Sequence, residues 1–257
     1  MKKYLLLAVC MLCSLGVSAQ FSGAGSGTSS DPYQITNAEQ LFEVRNSLSA
    51  YYKLMNDIDL TEWIAAESPS QGWTPIGTTT TPFSGIFDGN NKSIKGLYIN
   101  KPSVDYVGLI GYATACTISN ICLVNPIVIG NNYVGTVLGG IKPAKSNVSN
   151  NVCVGGKVKG QSYVGGVIGR LLYGSGSNVN GVNVIGNYSS LSIEGNSFVG
   201  GIMGEVAGYH YSYSDAYTNI QTYNYPNIYD NCFAGVLSAK SNGGGVIGKC
   251  FIGITNN

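Results

Sequence analysis

The chain has 257 residues and a formal net charge of +1, and only 11% of its residues are charged. This length allows one large domain or two small ones, and the absence of a basic stripe argues against a nucleic-acid partner. The 36 glycines and 18 tyrosines favour strands and tight turns over helices.

The N-terminus has the pattern of a secretory signal peptide. Two lysines precede an apolar run over residues 4–17, which is too short to span a membrane, and small residues lead to a cleavage site near Ala19. Neither Cys10 nor Cys13 follows the small residue that a lipid-anchored alternative requires. We therefore expect residues 1–19 to be removed. The mature chain is predicted to be secreted or exposed at the cell surface, with no membrane span.

Five cysteines remain after the signal peptide, and an odd number excludes a complete set of disulfides within one chain. Several lie in apolar, strand-like segments, so buried and reduced thiols are expected. The sequence after residue 19 has no C-x-x-C and no histidine cluster, which argues against a zinc site, and no cofactor is predicted. The five are Cys116, Cys122, Cys153, Cys232 and Cys250.

Residues 20–100 are predicted to form an N-terminal cap and the first coils of a repeat structure. Thr36 and Glu39 have the spacing of a capping box, and apolar residues follow at helical spacing over residues 41–48. One short amphipathic helix is therefore expected here. Residues 51–60 are interpreted as one strand, and residues 83–99 as two strands around an Asp-Gly turn.

Three acidic residues of this region were considered as a calcium site. Asp57 and Asp59 alternate and so share a face of the strand, and Asp88 stands in the Asp-Gly turn. Calcium needs several converging oxygen ligands. The alternative is that these are ordinary turn and strand-edge residues, and no metal site is assigned.

A glycine-rich phrase recurs through residues 101–257, as in SYVGGVIG and SFVGGIMG. When the copies are aligned on their last glycine, aliphatic residues fall in common columns. The column one residue before that glycine contains Leu138, Ile168, Met203 and Ile247. The column eleven residues before it contains Val128, Val158, Ile193 and Leu237.

The last glycines stand 28, 30, 35 and 44 residues apart, a period typical of a solenoid. High glycine content and β-branched columns favour strands, which would stack in parallel about 4.8 Å apart. Parallel crossovers are overwhelmingly right-handed. The predicted fold is therefore all-β, a right-handed parallel β-helix with an N-terminal cap.

Glycine is expected at the corners of each coil, where φ is positive or two backbones approach closely. Cys153 and Cys232 share one column by the same count, and Cys122 lies one position outside it. The predicted structural glycines of the repeat are Gly108, Gly111, Gly139, Gly166, Gly169, Gly201, Gly204, Gly245 and Gly248.

The quartets GLIG, GVIG and GIMG resemble the GLUG motif of bacterial surface proteins. The segments GTSSDPYQITNAEQL, YYKLMNDIDL, GWTPIG and FDGNNKSIKGLYI are similar to that family too, so the likeness extends over nearly all of the mature chain. One copy, TVLG, lacks its leading glycine. The family's repeats occur in β-solenoids of adhesin-like proteins and beside the catalytic domain of IgA-cleaving metallopeptidases. The resemblance implies a surface β-solenoid with a binding role. It does not imply protease activity, because the chain has no H-E-x-x-H and one histidine, His210.

A tyrosine-rich insert over residues 209–229 is the strongest candidate for ligand binding. Exposed aromatic rings stack on sugars or anchor protein partners, and alternate tyrosines would share one side of a strand. The alternative is a lid folded on the solenoid flank. The candidate residues are Tyr209, Tyr211, Tyr213, Tyr217, Tyr223 and Tyr225.

Three functions remain open at this stage. The first is a non-enzymatic binding or adhesin-like module that contacts a glycan or a host surface protein. The second is a structural spacer or a self-assembling subunit that associates through its C-terminal coil. The third is a polysaccharide-degrading enzyme, which would need paired carboxylates. Glu194 and Glu205 share no column with another acid, so no catalytic residues are assigned.

Overall fold

The computed structural model describes residues 21–172, 181–207 and 226–250. The predicted signal peptide lies outside these ranges. The helices within them are α1 (Ala38–Glu43), which continues into a 3-10 turn (Val44–Asn46), and α2 (Thr61–Glu67). No helix in this part of the chain is long and apolar enough to cross a membrane.

Short strands make up most of the remaining structure. In chain order they are β1 (Tyr33–Ile35), β2 (Tyr51–Leu54), β3 (Ile58–Asp59), β4 (Ile86–Asp88), β5 (Ser93–Lys95), β6 (Tyr98–Asn100), β7 (Ile110–Thr114), β8 (Thr117–Ser119), β9 (Cys122–Val124), β10 (Ile127–Ile129), β11 (Asn132–Val134), β12 (Leu138–Lys142), β13 (Ser146–Ser149), β14 (Val152–Lys159), β15 (Ser162–Gly165), β16 (Ile168–Leu171), β17 (Val182–Ile185), β18 (Tyr188–Gly200), β19 (Met203–Val206), β20 (Asn227–Tyr229), β21 (Cys232–Phe233), β22 (Val236–Gly244) and β23 (Ile247–Cys250).

The strands form three sheets, and each complete coil adds one strand to the first sheet, one to the third and up to three short strands to the second. The first sheet has the order β1-β2-β4-β8-β13-β17-β20, and the third has the order β7-β12-β16-β19-β23. The second sheet contains β3, β5, β6, β9, β10, β11, β14, β15, β18, β21 and β22. Pairings between these strands are parallel. The predicted all-β class and the parallel, solenoid-like stacking are therefore confirmed.

The interior is filled by columns of aliphatic side chains, one from each coil. Leu138 is paired with Ile168, and Ile168 with Met203, in the predicted column. Val128 is likewise paired with Val158 in the second sheet. These side chains are fully buried, because alternate residues of a strand point to one face. Both aliphatic columns predicted from the sequence are confirmed.

The N-terminal region differs from the prediction in its helices. Helix α1 begins one residue later than the expected capping box. Asn37, not Thr36, is the N-cap, and its side chain accepts a hydrogen bond from the Gln40 backbone nitrogen. The Gln40 side chain in turn accepts from the backbone nitrogen and hydroxyl of Thr36. A second helix, α2, was not predicted, so the cap does not contain only one helix.

The strands of this region also differ from the prediction. Residues 51–60 form two strands, β2 and β3, which belong to the first and second sheets. Residues 83–99 contain three strands, β4, β5 and β6, none of which pairs with another of the three. The Asp-Gly pair is therefore not a hairpin turn. Asn90 and Asn91 have positive φ and turn the chain at a corner, so the next strand joins another sheet.

The predicted cysteine column is wrong by one residue. Cys232 is paired with Tyr188, and Val152 is paired with both Tyr188 and Cys122. Cys122 and Cys232 therefore share a column, and Cys153 lies one position outside it. The register between β14 and β18 shifts after Val154, so a count back from the repeat glycine is off by one across this bulge.

Candidate functional site

A ladder of stacked aromatic rings runs along the outside of the solenoid, between the second and third sheets. The ring centroids of Tyr106 and Tyr133 lie 4.5 Å apart, those of Tyr133 and Tyr163 lie 4.8 Å apart, and those of Tyr163 and Phe198 lie 4.9 Å apart. These distances match the spacing of adjacent strands, because each coil contributes one ring. We call these four residues the aromatic ladder.

The backbone of every ladder residue is left-handed, with φ between +56° and +60°. L side chains other than asparagine and aspartate adopt this conformation infrequently. The next coil places Asn242, with φ +50°, at the same position six residues before its last glycine. The repeat therefore requires a left-handed backbone at this position, and the side chain stacks on the ring of the neighbouring coil where it is aromatic.

The last glycine of each repeat makes room for the ladder. A Cβ atom on Gly204 would lie 2.5 Å from the carbonyl carbon of Tyr163 and 2.5 Å from the backbone nitrogen of Val164. None of the nine predicted repeat glycines has positive φ. Close backbone approach, one of the two predicted reasons, therefore explains all of these positions except Gly245, where no described atom lies within 4 Å of an added Cβ. The same geometry recurs at Gly139, Gly169 and Gly248.

In the repeat copy TVLG, Thr136 stands in place of the leading glycine, and its side chain fits inside the coil. Thr136 is fully buried, and its hydroxyl donates to the Gly166 carbonyl oxygen at 2.5 Å and lies 3.1 Å from the Cys153 Sγ. The cysteine beneath it therefore takes part in packing. Burial raises the pKa of the Cys153 thiol to about 12, so this thiol stays protonated and is not a nucleophile at neutral pH.

Charged side chains flank the ladder on equivalent positions of the third sheet. Arg170 is paired with Glu205 in the register, and the Arg170 Nε lies 2.5 Å from the Glu205 Oε2. The Arg170 guanidinium carbon lies 4.5 Å from the ring centroid of Tyr163. The Lys249 Nζ lies 4.6 Å from that of Phe198. Glu205 is only 2% exposed, so its charge is compensated within the protein rather than presented to a ligand.

The faces of the inner ladder rings are covered by their neighbours. Each inner ring stacks on a neighbour on both faces, and the four rings are half-buried. A sugar or base would need a free ring face. Burial also raises the pKa of Tyr106 to about 12, which keeps its phenol neutral. The stacked rings instead stabilise the register between coils.

Tyr163→Ala is expected to lower the free energy of unfolding by about 2 kcal/mol, because it removes two stacked pairs and the contact with Arg170. Tyr163→Phe keeps the stacked pairs and the contact with Arg170, and it is expected to change the free energy of unfolding by less than about 0.5 kcal/mol. Denaturant titration followed by circular dichroism measures both variants. Equal stability of the two would show that stacking contributes nothing.

A polar groove lies across the outer face of the first sheet and has a volume of about 490 Å³. Its floor is one outward-facing column of register partners, one from each of five strands. Five strands span four inter-strand spacings, which gives a length of about 19 Å. The floor residues are Tyr51, Ile86, Thr117, Asn147 and Asn183. We call this feature the polar groove.

The wall of the polar groove is built from the turns that precede these strands. It includes Ser49, Ser84, Lys145 and Ser146. Ser146 is buried, and its hydroxyl accepts a hydrogen bond from the Cys116 backbone nitrogen at 3.2 Å. The wall is therefore fixed by contacts between coils, and its other polar side chains project from a rigid base.

Many polar groups of the groove have no partner within the described ranges. Neither a hydrogen bond nor an ion pair engages the side chains of Tyr51, Thr117 or Lys145 there. Asn147 donates to the Ser149 Oγ at 2.9 Å, and its own side-chain oxygen stays available. Free donors and acceptors on a concave surface are the usual means of orienting a polar ligand.

The carboxylates considered for calcium behave differently, because each is already engaged. Asp57 accepts from the Ser93 backbone nitrogen at 2.7 Å, and Asp59 accepts from that of Thr61 at 2.9 Å. These hydrogen bonds lower the pKa of both groups. Asp88 accepts from the backbone nitrogen of Asn90. Asp59 and Asp88 thus end strands β3 and β4, and all three carboxylates bond to backbone nitrogens. The described chain holds no cluster of three or more metal-ligating side chains.

The other predicted residues are placed as follows. The six candidate tyrosines of the insert lie outside the described residues. Glu194 and Glu205 lie on the second and third sheets, and Glu194 pairs with Lys159 at 2.7 Å. Within the described ranges the five cysteines are unpaired. Cys116 and Cys153 are buried as predicted, Cys122 is half-buried, and Cys232 and Cys250 are exposed.

Sequence reasoning missed both the aromatic ladder and the polar groove. The ladder has a signal, since Tyr133, Tyr163 and Phe198 each stand six residues before the last glycine of a repeat. The groove has a weaker one. Its floor residues become neighbours only once the register between coils is known.

Comparisons with known proteins find similar sequences and a similar fold but leave the family open. No protein-family model matches the chain. A stretch of 96 residues is 41% identical to a protein provisionally named Gly-rich membrane protein from Evansella cellulosilytica, covering 37% of this chain and 11% of that protein. A stretch of 121 residues is 34% identical to halomucin from Haloquadratum walsbyi, covering 45% of this chain and 1% of halomucin. The chain thus spans a small part of these relatives.

One solved structure has a similar fold. It is a Bacteroides ovatus protein provisionally named immunoglobulin A1 protease, with a TM-score of 0.67 and 23% identity. The match covers 88% of this chain and 64% of that one. At this identity the likeness concerns the fold.

Proposed function

We propose that this protein is a right-handed β-helix of the GLUG-motif type that acts at the cell surface or after secretion as a non-enzymatic binding module. Its ligand is a glycan or a glycosylated host surface protein, and the polar groove is its binding site. The observation that carries this proposal is the set of hydroxyl, amide and ammonium groups along the groove, of which the side chains of Tyr51, Thr117 and Lys145 have no partner in the described chain.

The chemistry of the groove supports a glycan. Sugars present hydroxyl groups that both donate and accept hydrogen bonds, and the groove offers the same two capacities through Thr117, Asn147 and Asn183. Tyr51 adds an aromatic ring beside them. A rigid sheet also holds these groups in place before binding, which reduces the entropy lost on association.

A binding role is favoured over hydrolysis by the residues that line the groove. Glycoside hydrolases use two carboxylates, and the groove lining, all of it described, contains neither a carboxylate nor a histidine. The surface location is supported by the signal-like N-terminus and by the names of the relatives, a Gly-rich membrane protein and halomucin.

A second candidate function is a spacer or self-assembling surface subunit. The aromatic ladder favours it, because continuous stacking between coils stiffens the solenoid. Interior side chains of the last described coil, Leu237, Val246 and Ile247, are also only partly buried. Association that increases with protein concentration, without any ligand, would favour this function.

The test is binding of residues 20–257 to an array of glycans and matrix proteins. Asn147→Ala combined with Asn183→Ala removes two floor groups and is expected to weaken binding at least about tenfold. Ser190→Ala combined with Ser192→Ala, on the second sheet, is the matched control and is expected to bind like the wild type. Binding that survives the floor variant would place the site elsewhere. A third variant with Tyr209, Tyr211 and Tyr213 changed to alanine tests the insert.

A further inference from the structure

We infer that the polar groove selects an acidic glycan, one whose sugars carry carboxylate or sulfate groups, and that Lys145 is the residue that recognises the anion. This inference rests on the proposed function, since it names the ligand class of the same site.

Lys145 is the cationic member of the groove lining. Its side chain is exposed and has no hydrogen bond or ion pair with the described chain. Lys159 and Arg170, by contrast, are paired with Glu194 and Glu205. An unpaired ammonium beside a row of hydroxyl and amide groups makes a site that favours a negatively charged, hydroxyl-rich ligand.

The surroundings of the groove do not cancel this charge. The nearest acid on the outer face of the first sheet is Asp88, two residues along β4 from the floor residue Ile86. Its Oδ1 accepts from the backbone nitrogen of Asn90 and from the Asn120 Nδ2, both at 2.9 Å. Asp88 is therefore engaged in its own corner and is not paired with Lys145.

The geometry also favours an extended chain over a single sugar. Lys145 stands at the fourth of the five strands, just before β13, so hydroxyl and amide groups of the floor lie on both sides of it along the solenoid axis. A floor of about 19 Å accommodates several sugar units. One anionic unit would sit at Lys145 while its neighbours bind to Tyr51 and Thr117 on one side and Asn183 on the other.

The experiment measures the Kd of residues 20–257 for hexagalacturonate, for its uncharged methyl ester, and for a heparin hexasaccharide. Hexagalacturonate or the heparin fragment is expected to bind at least about tenfold more tightly than the methyl ester, because a charge-assisted hydrogen bond is added. The difference is expected to shrink as salt rises. Heparin carries both carboxylate and sulfate groups, so tighter binding of the heparin fragment would indicate that sulfate adds to recognition, and tighter binding of hexagalacturonate would indicate recognition of the carboxylate.

Lys145→Gln is expected to abolish the preference, so that the acidic hexasaccharides bind no more tightly than the methyl ester. Lys142→Gln removes the same charge from an exposed residue that does not line the groove, and it is expected to keep the preference. Equal affinity for the charged and uncharged hexasaccharides would overturn the acidic-glycan inference but leave the proposed function standing. An equal loss in both lysine variants would overturn the role of Lys145. No binding to any glycan on the array or in solution would overturn both proposals.

Discussion

Gly204→Ala is expected to lower the free energy of unfolding by about 3 kcal/mol. The added Cβ would lie 2.5 Å from two backbone atoms of the preceding coil, in Tyr163 and Val164, and 2.6 Å from the Gly169 carbonyl oxygen. Backbone atoms of paired strands cannot move aside as a flexible side chain does, so the coils must separate locally. Denaturant titration gives the loss of stability.

Gly245→Ala is the matched control from the same repeat. No described atom lies within 4 Å of a Cβ at that position, and its φ is not positive. The substitution is therefore expected to be neutral or stabilising by up to about 1 kcal/mol, because alanine restricts the unfolded chain. Hydrogen exchange in β15 and β18 is expected to accelerate for Gly204→Ala alone. Similar losses in the two variants would contradict close backbone approach as the reason for these glycines.

Asn187→Ala is expected to lower the free energy of unfolding by about 3 kcal/mol, because Asn187 is the centre of a buried ladder of asparagines. Its Oδ1 accepts from the backbone nitrogen and the Nδ2 of Asn151, at 3.1 Å and 3.0 Å. Its Nδ2 donates to the Val148 carbonyl oxygen at 2.9 Å and to the Asn231 Oδ1 at 3.0 Å. Asn151 is fully buried, and each donor left without a partner costs about 1–3 kcal/mol.

Asn227→Ala is the control for this prediction. Asn227 is exposed and donates one hydrogen bond to Asn183, at 2.9 Å, on the outer face of the first sheet. Water replaces such a bond, so the expected change is within about 0.5 kcal/mol. If Asn187→Ala lowered the free energy of unfolding as little as Asn227→Ala, the buried asparagine ladder would contribute no more stability than one exposed hydrogen bond.

The aliphatic columns of the fold could be predicted because the repeat is visible in the sequence. The column that contains Ile168 and Met203 follows from counting back one residue from the last glycine of each repeat. No bulge lies between these residues and that glycine. The column of Cys153 and Cys232 failed because the count crosses the register shift after Val154. A shift of one residue moves every side chain to the opposite face.

The N-terminal region was harder to predict because its strands have no repeated phrase. Residues 83–99 contain an Asp-Gly pair that commonly forms a hairpin. In the structure, β4 instead pairs with β2 in the first sheet, and β5 pairs with β3 in the second sheet. Tertiary pairing therefore overrode the local turn preference.

The sequence by itself determined the all-β class, the coil period, the parallel stacking and the aliphatic columns, because each coil repeats the same local requirements for β-branched side chains and glycine. Only the tertiary structure decided the left-handed aromatic ladder, the buried asparagines and the polar groove. These features join residues about 30 to 45 positions apart. Their contacts depend on register across corners and bulges, and local sequence preference does not set that register.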